Sequence, residues 1–252
     1  MEINRKPLQG VRNIICFNRH FYVLAACVVL LPLLLSPLLN SNLQLHTYIL
    51  CTLVFSSITL SLLASFYVYD LSNLYQLNWI DKDGIDQNII NIHSGFDETS
   101  SLLIHAFPKA ALSVFDFYDP FKHTEVSIKR ARKAYPAFPG TQTISTNHIP
   151  IINASVDKIV LTLSAHEIRD KAERIRFFKE LFRILKPTGK IYVTEHLRDL
   201  PNFVVYNIGF FHFYSKNTWR ETFLEASLLV TQEIKTTPFI STFILIKNGN
   251  TH

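Results

Sequence analysis

Ser155-Val156-Asp157-Lys158-Ile159-Val160-Leu161-Thr162-Leu163-Ser164-Ala165-His166-Glu167-Ile168 opens a unit that closes with Leu185-Lys186-Pro187-Thr188-Gly189-Lys190-Ile191-Tyr192-Val193-Thr194-Glu195-His196. The first segment carries an apolar run, Ile159 to Leu163, that ends in polar residues. Between the segments, Ile175, Phe178, Leu181, Phe182 and Leu185 recur at helical spacing and predict an amphipathic helix. Pro187-Thr188-Gly189 stops that helix and launches a second apolar run. The pattern is a β-α-β unit, and such units build parallel sheets. Ligands of open α/β sheets sit at the carboxyl ends of the strands. Here those ends carry Ser164, His166 and Glu167 on one strand and Glu195 and His196 on the next.

The same pattern extends outward. Upstream, Ile89, Ile90 and Ile92 lie just before Gly95, and Leu112 to Pro120 contains Asp116 and Asp119. Thr124 to Ala134 reads as a helix with Val126, Ile128 and Ala131 inward and its Lys and Arg residues solvated. Downstream, Pro201 to Tyr214 is dense in aromatic rings. An amphipathic helix over Trp219 to Leu229 follows. Val230 to Ile234 and Phe239 to Lys247 then form a closing strand pair around Thr237-Pro238.

A chain of 252 residues accommodates one α/β domain with an appendage. The net charge of +5 is spread thinly, apart from Lys129, Arg130, Arg132, Lys133 and the N-terminal group. Nucleic-acid binding wants a denser basic face, so no nucleic-acid partner is expected. The three cysteines, Cys16, Cys27 and Cys51, give neither a disulfide framework nor a metal spacing. His93, His123, His148, His166, His196 and His212 lack the short paired spacing of a zinc site, and no metal is expected.

The N-terminal part differs in kind. Phe21 to Leu39 is an uncharged apolar run, and Leu43 to Tyr69 is a second, interrupted by His46 and small hydroxyls. Each approaches the roughly 20 residues that cross a bilayer as a helix. Pro32 and Pro37 are tolerable in a membrane helix. The turn Asn40-Ser41-Asn42 is short, so the segment reads as a transmembrane helical hairpin. Arg5, Lys6, Arg12 and Arg19 precede it, and the positive-inside rule places both of its ends in the cytoplasm. The expected organisation is a cytoplasmic segment over 1–20, the hairpin over 21–69, a linker helix over 70–86 and an α/β domain over 87–252. Tyr67, Tyr69, Tyr75 and Trp79 suit an interfacial aromatic belt.

From about Gln87 to Lys247 the chain resembles the class I S-adenosylmethionine-dependent methyltransferases of the ubiquinone/menaquinone type. Val156-Asp157-Lys158-Ile159-Val160 fills the place of that family's fourth strand. Leu185-Lys186-Pro187-Thr188-Gly189 fills the place of its helix-ending turn. The resemblance implies a Rossmann-like, seven-stranded, mostly parallel sheet with helices on both faces. It implies S-adenosyl-L-methionine as cofactor. Asn91 then takes the acidic slot of the glycine loop, His93 and Asp97 replace its first and third glycines, and Gly95 keeps the second. Ile89, Ile90 and Ile92 match the family's first strand, and Asp116, with Asp119 as the competing choice, takes the place of the carboxylate at the end of its second strand that grips the ribose hydroxyls. Asn147 or His148 falls near the adenine edge, and Ser164 falls at the cofactor end of the fourth strand.

Methyl transfer needs an aligned nucleophile and sometimes a base. His166 is the candidate base because imidazole titrates near neutrality, and Glu195 and His196 are expected to line the acceptor pocket with it. The ring-rich 201–214 stretch suits an apolar acceptor pocket or a membrane-facing lid. The expected function is therefore a membrane-anchored methyltransferase acting on a lipid-like or apolar small molecule. The bulk of His93 and Asp97 in the glycine loop supports an alternative: an inactive methyltransferase-like module tethered to the membrane.

Overall fold

The computed structural model describes residues 5–82 and 88–249. The expected boundary between linker and α/β domain at 86/87, and the first four residues of the expected N-terminal segment, lie outside the described residues. Seven strands form one sheet: β1 (Asn88–His93), β2 (Ala111–Asp116), β3 (Gln142–Thr143), β4 (Val156–Thr162), β5 (Leu185–His196), β6 (Leu228–Thr237) and β7 (Ile240–Lys247). Their spatial order is β3-β2-β1-β4-β5-β7-β6. β7 runs antiparallel to both β5 and β6, and all other pairs are parallel. The order reverses between β1 and β4, and a crevice at that switch point is where such sheets bind ligands.

The β-α-β unit forms as its sequence predicts. Asp170 caps the helix Lys171–Ile184 by accepting from the Glu173 amide at 2.7 Å. Phe177, Phe178, Leu181 and Ile184 of this helix are fully buried against β4 and β5. The Pro-Thr-Gly turn is absorbed into the start of β5 as an irregularity opposite Val156 and Lys158. Gly189 is required there, because a Cβ would lie 2.9 Å from the Val156 carbonyl oxygen and 3.0 Å from that of Asp157. The other face of the sheet is covered by Leu77, Trp79, Ile80 and Leu103.

Three helices precede the sheet: α1 (Gln9–Phe17), α2 (Arg19–Leu35) and α3 (Ser41–Phe66). Asn40 caps α3 by accepting from the Leu43 amide, as a short polar turn between two helices should. α2 and α3 with their flanking turns are long and apolar enough to cross a membrane. α2 buries none of its residues, and Leu24, Leu31, Leu34, Leu45, Leu53 and Phe55 are exposed. A pair of core helices in a soluble protein would bury such residues.

Two expectations for this region are corrected. Over its described residues, up to 82, the segment after α3 is not a linker helix. It is a π turn (Tyr67–Leu71) followed by a 3₁₀ turn (Leu74–Gln76), and Val68, Leu74, Leu77 and Ile80 are buried. The aromatic belt is also mostly internal. Trp79 is buried against Tyr192 and donates to the Leu74 carbonyl, Tyr75 donates to Glu98, and Tyr69 donates to His196, leaving Tyr67 exposed. Buried hydrogen-bond partners within the protein outcompete a lipid interface for these rings.

The helix α1 did not stand out in the sequence. Asp70 holds its N-terminus, accepting from the Gly10 and Val11 amides at 2.7 and 2.8 Å. Gly10 sits where a Cβ would meet Tyr69 Cβ at 2.3 Å, so only glycine fits. The far end of α1 reaches the sheet domain through Phe17, which packs edge-on against Phe96 and Tyr135. Arg130 donates to the Phe17 carbonyl, and Tyr135 donates to Asn13. The chain therefore enters and leaves the α2–α3 hairpin on the side where the sheet domain sits.

Candidate functional site

The remaining helices are α4 (Ser100–Ala106), α5 (Val126–Ala134), α6 (Lys171–Ile184), α7 (Leu200–Tyr206) and α8 (Lys216–Glu225). The carboxyl edge of the sheet collects two groups of polar side chains. The first lies at β1 and β2. His93 ends β1, opposite Asp116 at the end of β2. Gly95 adopts φ +99°, which favours glycine, and its amide donates to His93 Nδ1 at 3.1 Å. That bond makes Nδ1 the acceptor and leaves the proton on Nε2, which is buried with no partner among the described residues. Burial lowers the His93 pKa and keeps the ring neutral.

Asp116 is buried and accepts from the Tyr118 amide at 2.9 Å. Its second carboxylate oxygen accepts a very short bond from Arg132 of α5. Arg132 also lies over the Tyr118 ring, 4.3 Å from its centroid, and covers Gly95. A Cβ on Gly95 would stand 2.7 Å from Arg132 Nη1, so the hollow beside this glycine is filled by the arginine. The expectation that the basic residues of this helix are merely solvated is corrected at Arg132. Val126 of the same helix is exposed rather than inward.

Asp97 does a different job from the one its alignment implies. One oxygen accepts from the Asn91 side chain and from the Thr99 and Ser100 amides, at 2.9–3.1 Å. It closes the loop onto the start of α4, while the second oxygen is buried with no partner among the described residues. Asn91, buried in mid-β1, braces that loop through Thr99 and Ser100. Asn147 and His148 are not brought to Asp116. Both are exposed on the turn after β3, where Asn147 accepts from Arg176 and His148 stands 3.8 Å from Glu180. Ser164 is buried and ties β4 to β1 by donating to the Ile92 carbonyl at 3.1 Å.

The second group lies at β4 and β5. Leu163 takes φ +51°, uncommon for a branched side chain, and sharpens the turn that presents Ala165–Glu167. His166 meets Glu195 twice. Its backbone amide donates to Oε1 at 3.2 Å, and its Nδ1 donates to Oε2 at 2.6 Å. Its Nε2 faces Glu167 Oε1 at 3.3 Å. Burial opposes charge on this ring, but Glu195 and Glu167 outweigh it and raise His166 to about 10. Set between these two carboxylates, the ring is held as an imidazolium at neutral pH. Burial likewise opposes ionisation of Glu167, yet His166 and His212 hold its carboxyl well below the ordinary range.

His196 stands apart from this pair. Tyr69 donates to its Nε2 at 2.7 Å, while Nδ1 faces the Phe239 carbonyl at 3.0 Å and Asn202 at 3.1 Å. The ring stacks on Phe213 at 4.8 Å. Burial pushes its pKa down to about 4. His196 is thus a neutral tie between the end of α3, β5 and the β6–β7 turn, with neither nitrogen free.

The ring-rich insert forms α7 and the 3₁₀ segment Asn207–His212. Leu200, Phe203, Val204, Ile208 and Phe211 are exposed on it, and Asn207 donates to Ser57 in the middle of α3. His212, from the end of this insert, joins His166 with ring centroids 5.0 Å apart. Sequence reasoning missed His212 and Arg132 as site residues. Neither stands near the strand ends in sequence, and only tertiary packing brings them there.

The fold is that of the class I adenosylmethionine-dependent methyltransferases, and the comparisons with known proteins point the same way. Residues 121–193 match the family model described as a methyltransferase domain. The chain is 23% identical over 158 residues to demethylmenaquinone methyltransferase from Chlamydia muridarum, covering 58% of this chain and 64% of that protein. It therefore spans a little under two thirds of that relative's length. Among solved structures, human N-acetylserotonin methyltransferase in complex with SAM superposes with a TM-score of 0.52 at 13% identity, over 75% of this chain and 55% of that one. An O-methyltransferase family 2 protein from Planctomyces limnophilus, in complex with apigenin, gives 0.50 at 14% identity, over 76% and 61%.

Proposed function

We propose that this protein is an adenosylmethionine-dependent methyltransferase, held at the membrane by the α2–α3 hairpin, that methylates an apolar or lipid-like small molecule. The observation that carries the reading is the pairing of Gly95 and Asp116 at the β1–β2 edge. A buried carboxylate beside a positive-φ glycine suits a nucleoside. The donor set fits. Asp116 would accept the ribose hydroxyls, Gly95 would let the ligand approach the backbone, and the unpaired His93 Nε2–H would donate to it. Arg132 occupies this cradle, but it is a flexible side chain that is 39% exposed and can swing out to solvent. Bound there, the cofactor supplies the methyl group from its sulfonium.

The rest is the work of this chain's own residues. Glu195 fixes the ring of His166, and the imidazolium presents positive charge at the edge of β4. Such a charge steadies an anionic oxygen on an acceptor. The exposed apolar face of α7 and the 207–212 segment lies beside α3, so an acceptor dissolved in lipid reaches His166 without crossing water. The Chlamydia relative bears the name of an enzyme acting on demethylmenaquinone, and an apolar acceptor of quinone type suits this route. The basic residues before α2 and the uncharged turn before α3 support a sheet domain on the cytoplasmic side.

The test uses full-length protein in lipid nanodiscs with methyl-labelled adenosylmethionine and a lipid extract. Label should enter the organic phase, and Asp116→Ala should abolish it. A second reading rests on Arg132 itself. A permanent Arg132–Asp116 pair would make this an inactive module tethered to the membrane. Failure of both the wild type and Arg132→Ala to bind the cofactor would establish that reading instead.

A further inference from the structure

His166, Glu167 and His212 converge although they come from two separate segments. Their ligating atoms lie within 4.8 Å of one another. Glu167 Oε1 is 3.3 Å from His166 Nε2 and 3.5 Å from His212 Nε2. A tetrahedral site with bonds of about 2.0–2.1 Å has ligand-to-ligand edges of roughly 3.3 Å. Both imidazoles are also held from behind. Glu195 Oε2 takes Nδ1 of His166 at 2.6 Å, and Glu125 Oε1 takes Nδ1 of His212 at 2.9 Å. A carboxylate on Nδ1 fixes the tautomer and aims Nε2, which is the usual second layer around a metal-bound histidine. Three carboxylates around two imidazoles also make a site that a dication would balance.

We propose that His166, Glu167 and His212 bind one divalent transition-metal cation of the zinc class, through two imidazole Nε2 atoms and a carboxylate. Three protein ligands leave a coordination position open. The inference goes beyond the methyltransferase reading and does not need it. If that reading holds, the cation takes the place of the proton on His166 Nε2 and supplies the positive charge in its stead, and the open position faces the acceptor side, because His212 belongs to the apolar insert. Metal would then also fasten that insert to β4. Among the described residues, the group that stands against the cation is Arg169. Its guanidinium lies 2.6 Å from His212 Nε2, makes a very short contact with His212 Nδ1 that competes with Glu125, lies 3.7 Å from Glu125 and donates to the His212 carbonyl at 2.7 Å. Arg169 is 41% exposed, so it can yield the nitrogen. It competes with the metal.

The experiment uses untagged full-length protein in detergent, stripped with chelator, with no cofactor added. Co²⁺ is titrated by its visible absorption, and Zn²⁺ is titrated against a chelating dye. One equivalent should bind. His212→Ala should weaken binding at least tenfold, Glu125→Gln should weaken it to a smaller degree, and Arg169→Ala should tighten it, the last by no loss of structure. No binding at millimolar Zn²⁺, or equal binding by wild type, His166→Ala and His212→Ala, would overturn the proposal. Cofactor titration of the metal-free protein is a separate measurement, so failure of the methyltransferase reading leaves this result readable.

Discussion

Replacing Arg132 by alanine should tighten cofactor binding while weakening the fold. The guanidinium bonds the carboxylate of Asp116, whose side chain is 6% exposed, while its own is 39% exposed. Charge-assisted hydrogen bonds contribute about 1.5–3 kcal/mol when sheltered, and exposed ion pairs contribute up to ~1 kcal/mol. Because one partner is in water, breaking this pair costs about 1–2 kcal/mol. A nucleoside at Gly95 and Asp116 must meet that cost in the wild type but not in Arg132→Ala. At ~1.4 kcal/mol per tenfold, the variant should bind adenosylmethionine roughly 5- to 30-fold more tightly. Buried Asp116 loses its partner in the same variant, so the thermal midpoint of the ligand-free protein should fall. The assay is calorimetric titration in detergent, beside a melting curve with and without cofactor. Unchanged or weaker binding in Arg132→Ala would refute the competition. Opposite movements of affinity and stability are its signature, because a merely damaged fold would lose both.

Three further outcomes follow from the packing. His196 has its pKa pushed to about 4 from an ordinary 6.5, so the unfolded chain binds the proton more readily. Its contribution is present above pH 6.5 and is lost as pH falls towards 4, by about 3 kcal/mol at ~1.4 per unit; His196→Gln should flatten that part of a stability-against-pH curve. Phe178→Ala removes a fully buried ring that packs on Trp219 and Phe223, and should cost about 3–5 kcal/mol in denaturant unfolding. Gly189→Ala pushes a methyl to within 2.9–3.0 Å of two backbone oxygens and should cost about 1–3 kcal/mol, visible as a lower melting midpoint.

The sheet was legible in the sequence because its signals are local. Ile159 to Leu163 and Ile191 to Val193 have the length and the β-branched content of buried strands, and the Lys-Pro-Thr-Gly turn marks the start of β5. The two apolar helices were legible for the same reason. α1 was not, because what holds it is Asp70 at one end and Tyr135 at the other, both remote in sequence. The described part of the linker after α3, up to residue 82, is not a helix because Leu74, Leu77 and Ile80 are buried against the sheet domain, an outcome that periodicity does not encode.

The site divides in the same way. His166 and Glu195 could be placed at strand ends from the local pattern, and Gly95 and Asp116 from the resemblance to the methyltransferase glycine loop. The work of Asp97 could not, because a carboxylate after a glycine can bond its own loop or a ligand, and only coordinates distinguish them. The expectation of no metal rested on the absence of closely spaced histidine pairs. His166 and His212 are far apart in sequence and meet through the insert between β5 and α8. Arg132 hid among other basic residues on one helix, although it alone reaches Asp116.

Titrating the full-length protein with adenosylmethionine, side by side with Asp116→Ala, bears most directly on the account. A saturable one-to-one isotherm that the variant weakens at least ~10-fold is the predicted result, given the charge-assisted bonds lost. Silence from the wild type and from Arg132→Ala at millimolar ligand, or an Asp116→Ala isotherm that overlays the wild type, would contradict it.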